Sequence, residues 1–364
     1  MKSLIVDFHG GCISVLAGML LNSSQNDLDI LPINKQDKIL QANGYLDLAL
    51  KDLDRRRLLR RLAIRAWPNY NQSKIRRAVK PLGVMRRWVN STFRRPTYDV
   101  AWVSFPPALY QRVLDSGLAK RVVVYVSHRS DLWISKPRAR NKFWMRFARD
   151  LKSGKIIAIA SNRYDQEYIR FYTGISVPLI KPAPHHVVPS GASHKEQSHL
   201  LGPTNVNLES PAVKHLLRDI RDLTPLRSIY PNFDFKDLSQ HPGIVLLPYS
   251  IYSISLVEYE FLGIPIFVPS DRWLMENNIL DDVQLFPLYG RRAEIQEYSA
   301  DRVTSSPNSD GLDSWLDFAY WKDIAGTVIW DSIDELSSLL KSPGVEVSPE
   351  NGHQLLSARQ RIFN

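Results

Sequence analysis

The sequence contains almost no cysteine: Cys12 is the one such residue among 364. A single thiol excludes an intramolecular disulfide and a cysteine-based metal cluster. It suits a reducing compartment, because disulfides persist mainly in oxidising ones. The chain must therefore be stabilised by packed cores, and its length is sufficient for two domains of ordinary size.

Long apolar runs are also missing. The apolar N-terminal stretch is interrupted by Asp7, His9 and the Gly10-Gly11 pair, where a signal peptide carries a continuous hydrophobic region. No later stretch reaches the roughly 20 apolar residues that span a bilayer. We therefore expect a cytoplasmic protein, at most peripheral to a membrane.

Positive charge is present in excess, but it is concentrated in one region. Residues 51–100 contain 15 Lys and Arg against 3 Asp and Glu, a local charge of +12, so the remainder of the chain sums to −2. Such a region attracts the phosphates of nucleic acid, anionic lipid or a charged acceptor. No recognised nucleic-acid motif accompanies it, so we expect no nucleic-acid partner. We expect residues 51–95 to contact a membrane surface or an anionic acceptor, and a basic nucleic-acid- or membrane-binding protein is the alternative to an enzyme.

Short apolar runs alternate with helical patterns along the chain. The runs are continuous rather than alternating in polarity, which is typical of parallel strands that are buried on both faces. The predicted strands are 3–8, 27–33, 98–105, 121–127, 155–161, 244–247, 264–268 and 326–330, and 198–205 is predicted to be a strand with the turn that follows it.

A linker divides these strands into two groups. Residues 182–197 are rich in proline, serine and histidine, which indicates a connecting segment. We therefore predict an α/β protein with two Rossmann-like, doubly wound domains that face a cleft. Their predicted bounds are 1–188 and 189–345, and 346–364 is predicted to be a tail that packs back on the first domain.

Polar residues follow the predicted strands, where doubly wound sheets bind ligands. Asp7 and the Gly10-Gly11 pair follow the first strand. The glycines allow a close backbone approach to a phosphate or an acceptor sugar, although a tight turn before a helix that starts near Ile13 explains them equally well. The pair does not belong to a G-x-G-x-x-G fingerprint or a P-loop, so dinucleotide and ATP binding are not supported. Thr204 follows a later strand in the second half.

His128 and Asp131 follow the strand 121–127. A histidine near an aspartate at a strand end suits proton transfer or hydrogen bonding to a hydroxyl-rich substrate. A loop histidine packed beneath Trp133 is the alternative explanation.

The stretch 243–270 holds a strand, a helix and a second strand, with more polar residues than a covering helix needs. We predict that the helix starts near Ser253 to Ser255, so that its hydroxyls and amides face a phosphate. Glu258, one turn further on, is positioned to reach vicinal hydroxyls such as those of a ribose. Gly263 allows a close turn into the next strand, and Glu260 is expected to be solvated.

The order of these elements resembles the donor-binding motif of GT-B glycosyltransferases, in particular the large family 4 type. In that motif a glutamate five residues before Gly-x-Pro holds the nucleotide ribose, and amides at a helix start hold the diphosphate. Glu258 and the segment 263–265 keep this spacing. Residues 122–133 are similar to the strand of the N-terminal domain whose histidine contacts the donor sugar, and the resemblance extends over most of the chain.

The resemblance implies a function for the whole chain. The first domain would bind the acceptor, and the second would bind a nucleoside diphosphate sugar of UDP or GDP, whose sugar is transferred to a hydroxyl of a glycan or another acceptor. Such enzymes generally need no metal ion, and no cofactor besides the donor is expected. His128 or Asp131 would orient the sugar or take the acceptor's proton, with Asp7 as a further candidate. The implied donor-binding residues are Gly10, Gly11, Thr204, Ser250, Ser253, Ile254, Ser255 and Glu258.

Two features depart from the family 4 pattern. Ser250 stands where the first glutamate of Glu-x7-Glu is expected, and residues 202–210 lack the usual Arg and Lys that clasp the diphosphate. These departures leave the stereochemical outcome open. A sugar-nucleotide epimerase of the same architecture is the alternative enzyme.

Overall fold

We describe the protein from a computed structural model. The described residues are 1–23, 27–33, 46–49, 58, 97–128, 130–131, 134, 137–187, 200–202, 211–221, 223–230, 235–248, 251–277, 316–324 and 326–341. They divide into two compact units, of which the first extends to His186 and the second begins at Val187. The predicted domain boundary after residue 188 falls close to this division, and the predicted tail 346–364 lies outside the described residues.

The first unit contains a sheet of five parallel strands. Its strands are Lys2–Asp7 (β1), Asp27–Pro32 (β2), Tyr98–Val103 (β3), Ala119–Val126 (β4) and Ile156–Ala160 (β5). They lie in the order β2-β1-β3-β4-β5. Ile5, Val103 and Val124 have no exposed surface, as expected for the central strands of a sheet that is covered on both faces.

The second unit contains another sheet of five parallel strands. Its strands are Leu200–Gly202 (β6), Leu223–Pro225 (β7), Ile244–Val245 (β8), Ile266–Pro269 (β9) and Thr327–Trp330 (β10). They lie in the order β10-β9-β8-β6-β7. Counted from the opposite edge, this order is the same as in the first unit. The prediction of an α/β fold with two doubly wound parallel sheets is therefore confirmed.

Helices connect the strands in both units. The α-helices among the described residues are Gly10–Asn22 (α1), Tyr110–Ser116 (α2), Pro137–Lys152 (α3), Arg163–Thr173 (α4), Pro211–Asp219 (α5), Leu226–Ile229 (α6), Phe235–Ser239 (α7), Ile254–Leu262 (α8), Asp271–Glu276 (α9) and Ile333–Lys341 (α10). Short 3-10 turns lie at Leu46–Leu48, Pro107–Leu109 and Tyr320–Asp323.

Side-chain caps explain where the helices next to the strand ends begin and stop. Helix α4 follows Asn162, whose side chain accepts from the Asp165 amide, and it stops at Gly174, with φ of 67°. Helix α8 follows Ser253 and stops at Gly263, with φ of 68°. A left-handed residue ends a helix at little cost only when it is glycine, so the predicted close turn at Gly263 is confirmed.

Helix α1 begins earlier than predicted. The expected turn at Gly10-Gly11 is instead the first turn of the helix, which follows the N-cap His9. The His9 side chain accepts a hydrogen bond from the Cys12 amide, which satisfies one of the backbone donors that a helix start leaves over. A histidine is not a common capping residue, so the sequence pattern placed the start three residues too late.

Candidate functional site

The strand order places a crevice at the same position in each unit. In a 2-1-3-4-5 sheet, the connections leave the first and third strands in opposite directions, so ligands bind at the carboxyl ends of these two strands. The crevice therefore lies beyond β1 and β3 in the first unit and beyond β6 and β8 in the second.

Asp7 occupies the crevice of the first unit. Its side chain is fully buried. One carboxylate oxygen accepts from the His9 amide at 2.8 Å, and the other accepts from the amides of Ser104 at 3.2 Å and Phe105 at 2.8 Å. Burial raises the pKa of Asp7 to about 7, against the effect of these backbone donors, which lower it. The carboxyl group thus links the ends of β1 and β3.

Three buried side chains form a polar cluster behind Asp7. The hydroxyl oxygens of Ser104 and Ser127 lie 2.7 Å apart, and the Cys12 sulfur lies 3.7 Å from the Ser127 hydroxyl. Burial raises the pKa of the Cys12 thiol well above its usual value, and the charge of Asp7 adds to this effect. The thiol is therefore held protonated and acts as a packed polar group rather than as a nucleophile.

Two histidines lie on either side of Phe105 at this edge of the sheet. The ring centroids of His9 and Phe105 are 5.5 Å apart, and those of Phe105 and His128 are 4.7 Å apart in an edge-to-face arrangement. Loss of solvation lowers the pKa of His128 to about 3, with a further contribution from His9. His128 is therefore neutral at physiological pH, so it can exchange hydrogen bonds with hydroxyl groups but supplies no positive charge.

The capping bond of His9 sets the chemistry that this side chain offers. Its Nδ1 accepts from the Cys12 amide at 3.4 Å, so the proton of the neutral ring lies on Nε2. His9 is exposed and can therefore donate a hydrogen bond to a ligand oxygen. His9 was not among the predicted site residues, although it follows the first strand as closely as Gly10 and Gly11 do.

Asp131 is buried. Only 1% of the residue is accessible, and the Tyr168 hydroxyl lies 3.4 Å from one of its carboxylate oxygens. His128 is held near the neighbouring serine, with its Nδ1 3.4 Å from the Ser127 hydroxyl. Asp7 and His128 thus lie around the same strand ends, whereas Asp131 contacts helix α4 through Tyr168.

In the second unit, Ser253 and Ile254 stand at the start of α8. The Ser253 hydroxyl accepts from the Leu256 amide at 3.4 Å, which makes Ser253 the N-cap, within the range predicted for the helix start. Ser255 lies in the first turn and is half-buried, as is Glu258 one turn further on. The start of α8, Ser255 and Glu258 therefore lie on one short helix that follows β8.

Glu260 was expected to be solvated, but the structure shows that it is buried. Only 7% of the residue is exposed, and its Oε2 accepts a hydrogen bond from the Tyr320 hydroxyl at 2.9 Å. Helix α8 is buried around most of its circumference, so the side of the helix that carries Glu260 packs against protein instead of water. The sequence offered no signal for this contact, because the two residues are 60 positions apart.

Several predicted residues lie outside the described part of the chain. Thr204 and Ser250 are among them, and so is Trp133. The same holds for residues 51–95, except position 58. The predicted roles of these residues stay predictions.

Searches of the described residues for ion sites and membrane spans gave no candidates. Within them, no group of three or more His, Cys, Asp or Glu side chains is arranged to hold a metal ion. None of the described helices combines the length and the apolar character that crossing a membrane requires.

Comparison with known proteins gave structural likenesses only. No protein-family model and no curated sequence matches the chain. A UDP-N-acetylglucosamine 2-epimerase is 11% identical, with 98% of this chain and 95% of that chain covered and a TM-score of 0.42. MurG of Acinetobacter baumannii is 10% identical, with 100% and 98% covered and a TM-score of 0.41. The spinosyn forosaminyltransferase SpnP is 13% identical, with 99% of both chains covered and a TM-score of 0.36. Likenesses of this size do not carry an activity over to this chain.

Proposed function

We propose that the protein is a glycosyltransferase of the GT-B type, which moves a sugar from a nucleoside diphosphate sugar to a hydroxyl of a glycan or another acceptor. In this reaction the acceptor oxygen forms a bond to the anomeric carbon, the bond from that carbon to the diphosphate oxygen breaks, and the proton of the acceptor hydroxyl passes to the leaving diphosphate or to water. The nucleotide is UDP or GDP. Neither a metal ion nor a further cofactor takes part in the proposed reaction.

Helix α8 is the observation that carries this proposal. It follows β8 at the crevice of the second sheet, begins at a serine cap, holds Glu258 one turn in and ends at Gly263. Helix starts bind phosphate because their amides and dipole favour negative charge. We assign the diphosphate to Ser253, Ile254 and Ser255 and the ribose hydroxyls to the Glu258 carboxylate.

The contacts of Asp7 favour the second unit as the nucleotide site. In the first unit, the amides of His9, Ser104 and Phe105 already donate to the Asp7 carboxylate. Backbone amides that already donate to an internal carboxylate are not free to donate to a diphosphate. We therefore assign the acceptor to the first unit, with Gly10 and Gly11 at its approach.

His128 is the residue that we assign to the sugar. A neutral imidazole at the strand ends can accept a hydrogen bond from a sugar or acceptor hydroxyl. His9 donates to a ligand oxygen in this assignment. Asp131 and Asp7 were predicted to be catalytic, and we reassign both to positioning this edge because they are buried. Thr204 and Ser250 stay in the proposal as donor contacts.

The basic segment has a separate place in the proposal. In this proposal residues 51–95 contact a membrane surface or an anionic acceptor, because their excess of Lys and Arg attracts negative charge. Nucleic acid is not a partner.

Substitution of Glu258 tests the assignment. We expect Glu258→Ala to weaken the binding of UDP or GDP, whichever the native protein binds, by about 10-fold to 100-fold, because hydrogen bonds to a charged group contribute roughly 1.5–3 kcal/mol. Titration calorimetry measures this change. Glu276→Ala is the control, since Glu276 is an exposed glutamate at the end of α9 in the same unit.

Three results would count against the proposal in different ways. Equal nucleotide affinity of Glu258→Ala and the native protein would remove the ribose site. A thermal-shift screen in which no nucleoside diphosphate or its sugar stabilises the native protein would remove the function itself. Release of nucleoside diphosphate without any glycosylated acceptor would point to the epimerase instead.

A further inference from the structure

Tyr320 contacts helix α8 and also residues 251 and 252, which precede the helix. Its hydroxyl donates to Glu260 Oε2 at 2.9 Å. Its backbone amide donates to the Ile251 carbonyl at 3.0 Å. Its ring meets the ring of Tyr252 edge-on, with centroids 5.1 Å apart. One residue thus joins a position late in the helix to the two residues that precede the serine cap.

The position of Glu260 is unfavourable without such a partner. The residue lies in the last turn of α8, where the helix dipole disfavours negative charge, and only 7% of it is exposed. Burying a carboxylate costs free energy unless hydrogen bonds replace its water. A solvated glutamate or an apolar residue would cover the sheet equally well, so this cost needs an explanation beyond packing.

The segment that carries Tyr320 is firmly placed. Leu316, Ala319 and Trp321 have no exposed surface, and 1% of Tyr320 is exposed. Lys322 pairs with Asp271 at the start of α9. Residues 316–324 therefore form a fixed support against which the approach to α8 rests.

We propose that Tyr320, anchored by Glu260, is a positioning residue that fixes the segment 251–253 in front of helix α8. This inference rests on the proposed function where it concerns ligand: the segment sets the direction of the amides that receive the donor diphosphate. Hydrogen bonds at a phosphate site depend steeply on geometry, so a loose approach lowers donor affinity while the chemistry of the other unit is unchanged. Glu260 does not touch the ligand.

Tyr320→Phe tests the inference, since it removes the hydroxyl and keeps the ring and the backbone contact. Amide hydrogen exchange, followed in peptides that cover 251–256, should become about threefold to tenfold faster, the change expected for one hydrogen bond of ordinary net strength. Nucleotide affinity measured by calorimetry should fall by a similar factor. The value of kcat at saturating donor should stay within about twofold, because the positioning affects donor binding.

Two further variants separate positioning from general loss of stability. Tyr230→Phe removes a tyrosine hydroxyl that lies 3.0 Å from His241 in the same unit, and it should leave exchange in 251–256 unchanged. Glu260→Gln keeps an acceptor for Tyr320, so it should behave closer to the native protein than Tyr320→Phe does. If Tyr320→Phe does not fold, Glu260→Gln and Glu260→Leu supply the same comparison of exchange.

The outcomes distinguish this inference from the proposed function. Unchanged exchange in 251–256 overturns the positioning role, whether or not the protein binds a nucleotide. Faster exchange with unaltered nucleotide affinity also overturns it, because the segment would then not set the site. If the native protein binds no nucleotide at all, the proposed function fails, and the exchange comparison alone decides whether Tyr320 fixes this segment.

Discussion

The two units share one strand order, yet a buried carboxylate in the first unit, Asp7, and one in the second unit, Glu260, have different surroundings. Asp7 in the first unit accepts three backbone N–H groups and closes the crevice between the ends of β1 and β3. Glu260 in the second unit lies within a helix and accepts from the Tyr320 hydroxyl. The same topology thus places a crevice in both units, and the Asp7 carboxyl group lies in the crevice of the first unit.

The comparison predicts that substitutions in the two units have different effects. Changes at the strand ends of the first unit should affect stability and turnover, whereas changes around α8 should affect nucleotide binding. The following substitutions are ordered from the largest expected effect to the smallest.

Asp7→Ala should lower the free energy of unfolding by about 3 kcal/mol at pH 5, because buried N–H groups lose their acceptor at roughly 1–3 kcal/mol each. Urea denaturation measures the loss. Asp27→Ala is the matched control, since Asp27 lies at the exposed start of the neighbouring β2. A loss no larger than that of the control would mean that Asp7 does not hold β1 and β3 together.

His128→Ala should reduce kcat by about 100-fold, the size expected when a group that orients the reacting sugar is lost. Nucleotide affinity should be unchanged, because the nucleotide is assigned to the other unit. Steady-state kinetics and calorimetry measure the two quantities. His215→Ala is the control, because His215 is a half-exposed histidine of the second unit that pairs with Asp219. A loss of nucleotide affinity in His128→Ala would contradict the assignment of the nucleotide to the second unit alone.

The stability contributed by Asp7 should depend on pH. Its pKa is about 7 in the folded protein and near 3.8 when unfolded, so between these values the folded state binds more protons. The free energy of unfolding that Asp7 contributes therefore falls as pH rises from 4 to 7. The difference between the native protein and Asp7→Ala should shrink by roughly 2.5 kcal/mol, most of its value, from pH 5 to pH 8, because the folded carboxyl group ionises two pH units above pH 5 at about 1.36 kcal/mol per unit. Denaturation at the two pH values measures it, and a larger difference at pH 8 would contradict the raised pKa.

Gly174→Ala and Gly263→Ala should each lower the free energy of unfolding by about 1 kcal/mol, since both glycines end a helix with positive φ. A methyl group at Gly174 meets no atom within 4 Å, so its cost comes from the backbone alone. Urea denaturation of both variants compares the two helix ends. A clearly larger loss at Gly263 would show that this turn also depends on its packing.

Much of the fold could be predicted from local patterns, and the misses have physical causes. Continuous apolar runs identified nine of the ten described strands, but β7 has only three residues and carries no recognisable pattern. The serine cap and the glycine stop located α8 within a residue or two. Helix α1 was placed too late because its cap is a histidine.

The candidate site was predicted less completely. The strand-end rule selected Asp7 and His128, which the structure brings to the same edge. It passed over His9, which lies beside a stronger candidate, and it passed over Ser104 and Ser127, which were counted as parts of strands. No local rule could connect Glu260 to Tyr320.

The sequence by itself determined the alternation of strands and helices, the positions of most strands to within a few residues and the polar residues that follow them. These features depend on contacts between residues close in the chain, so local patterns record them. Only the tertiary structure decided which carboxyl groups are buried and what they bind. The Asp7 carboxylate accepts hydrogen bonds from two amides almost a hundred residues later in the chain. Glu260 accepts a hydrogen bond from a tyrosine 60 residues away. Burial and partners at such separations follow from how the whole unit packs.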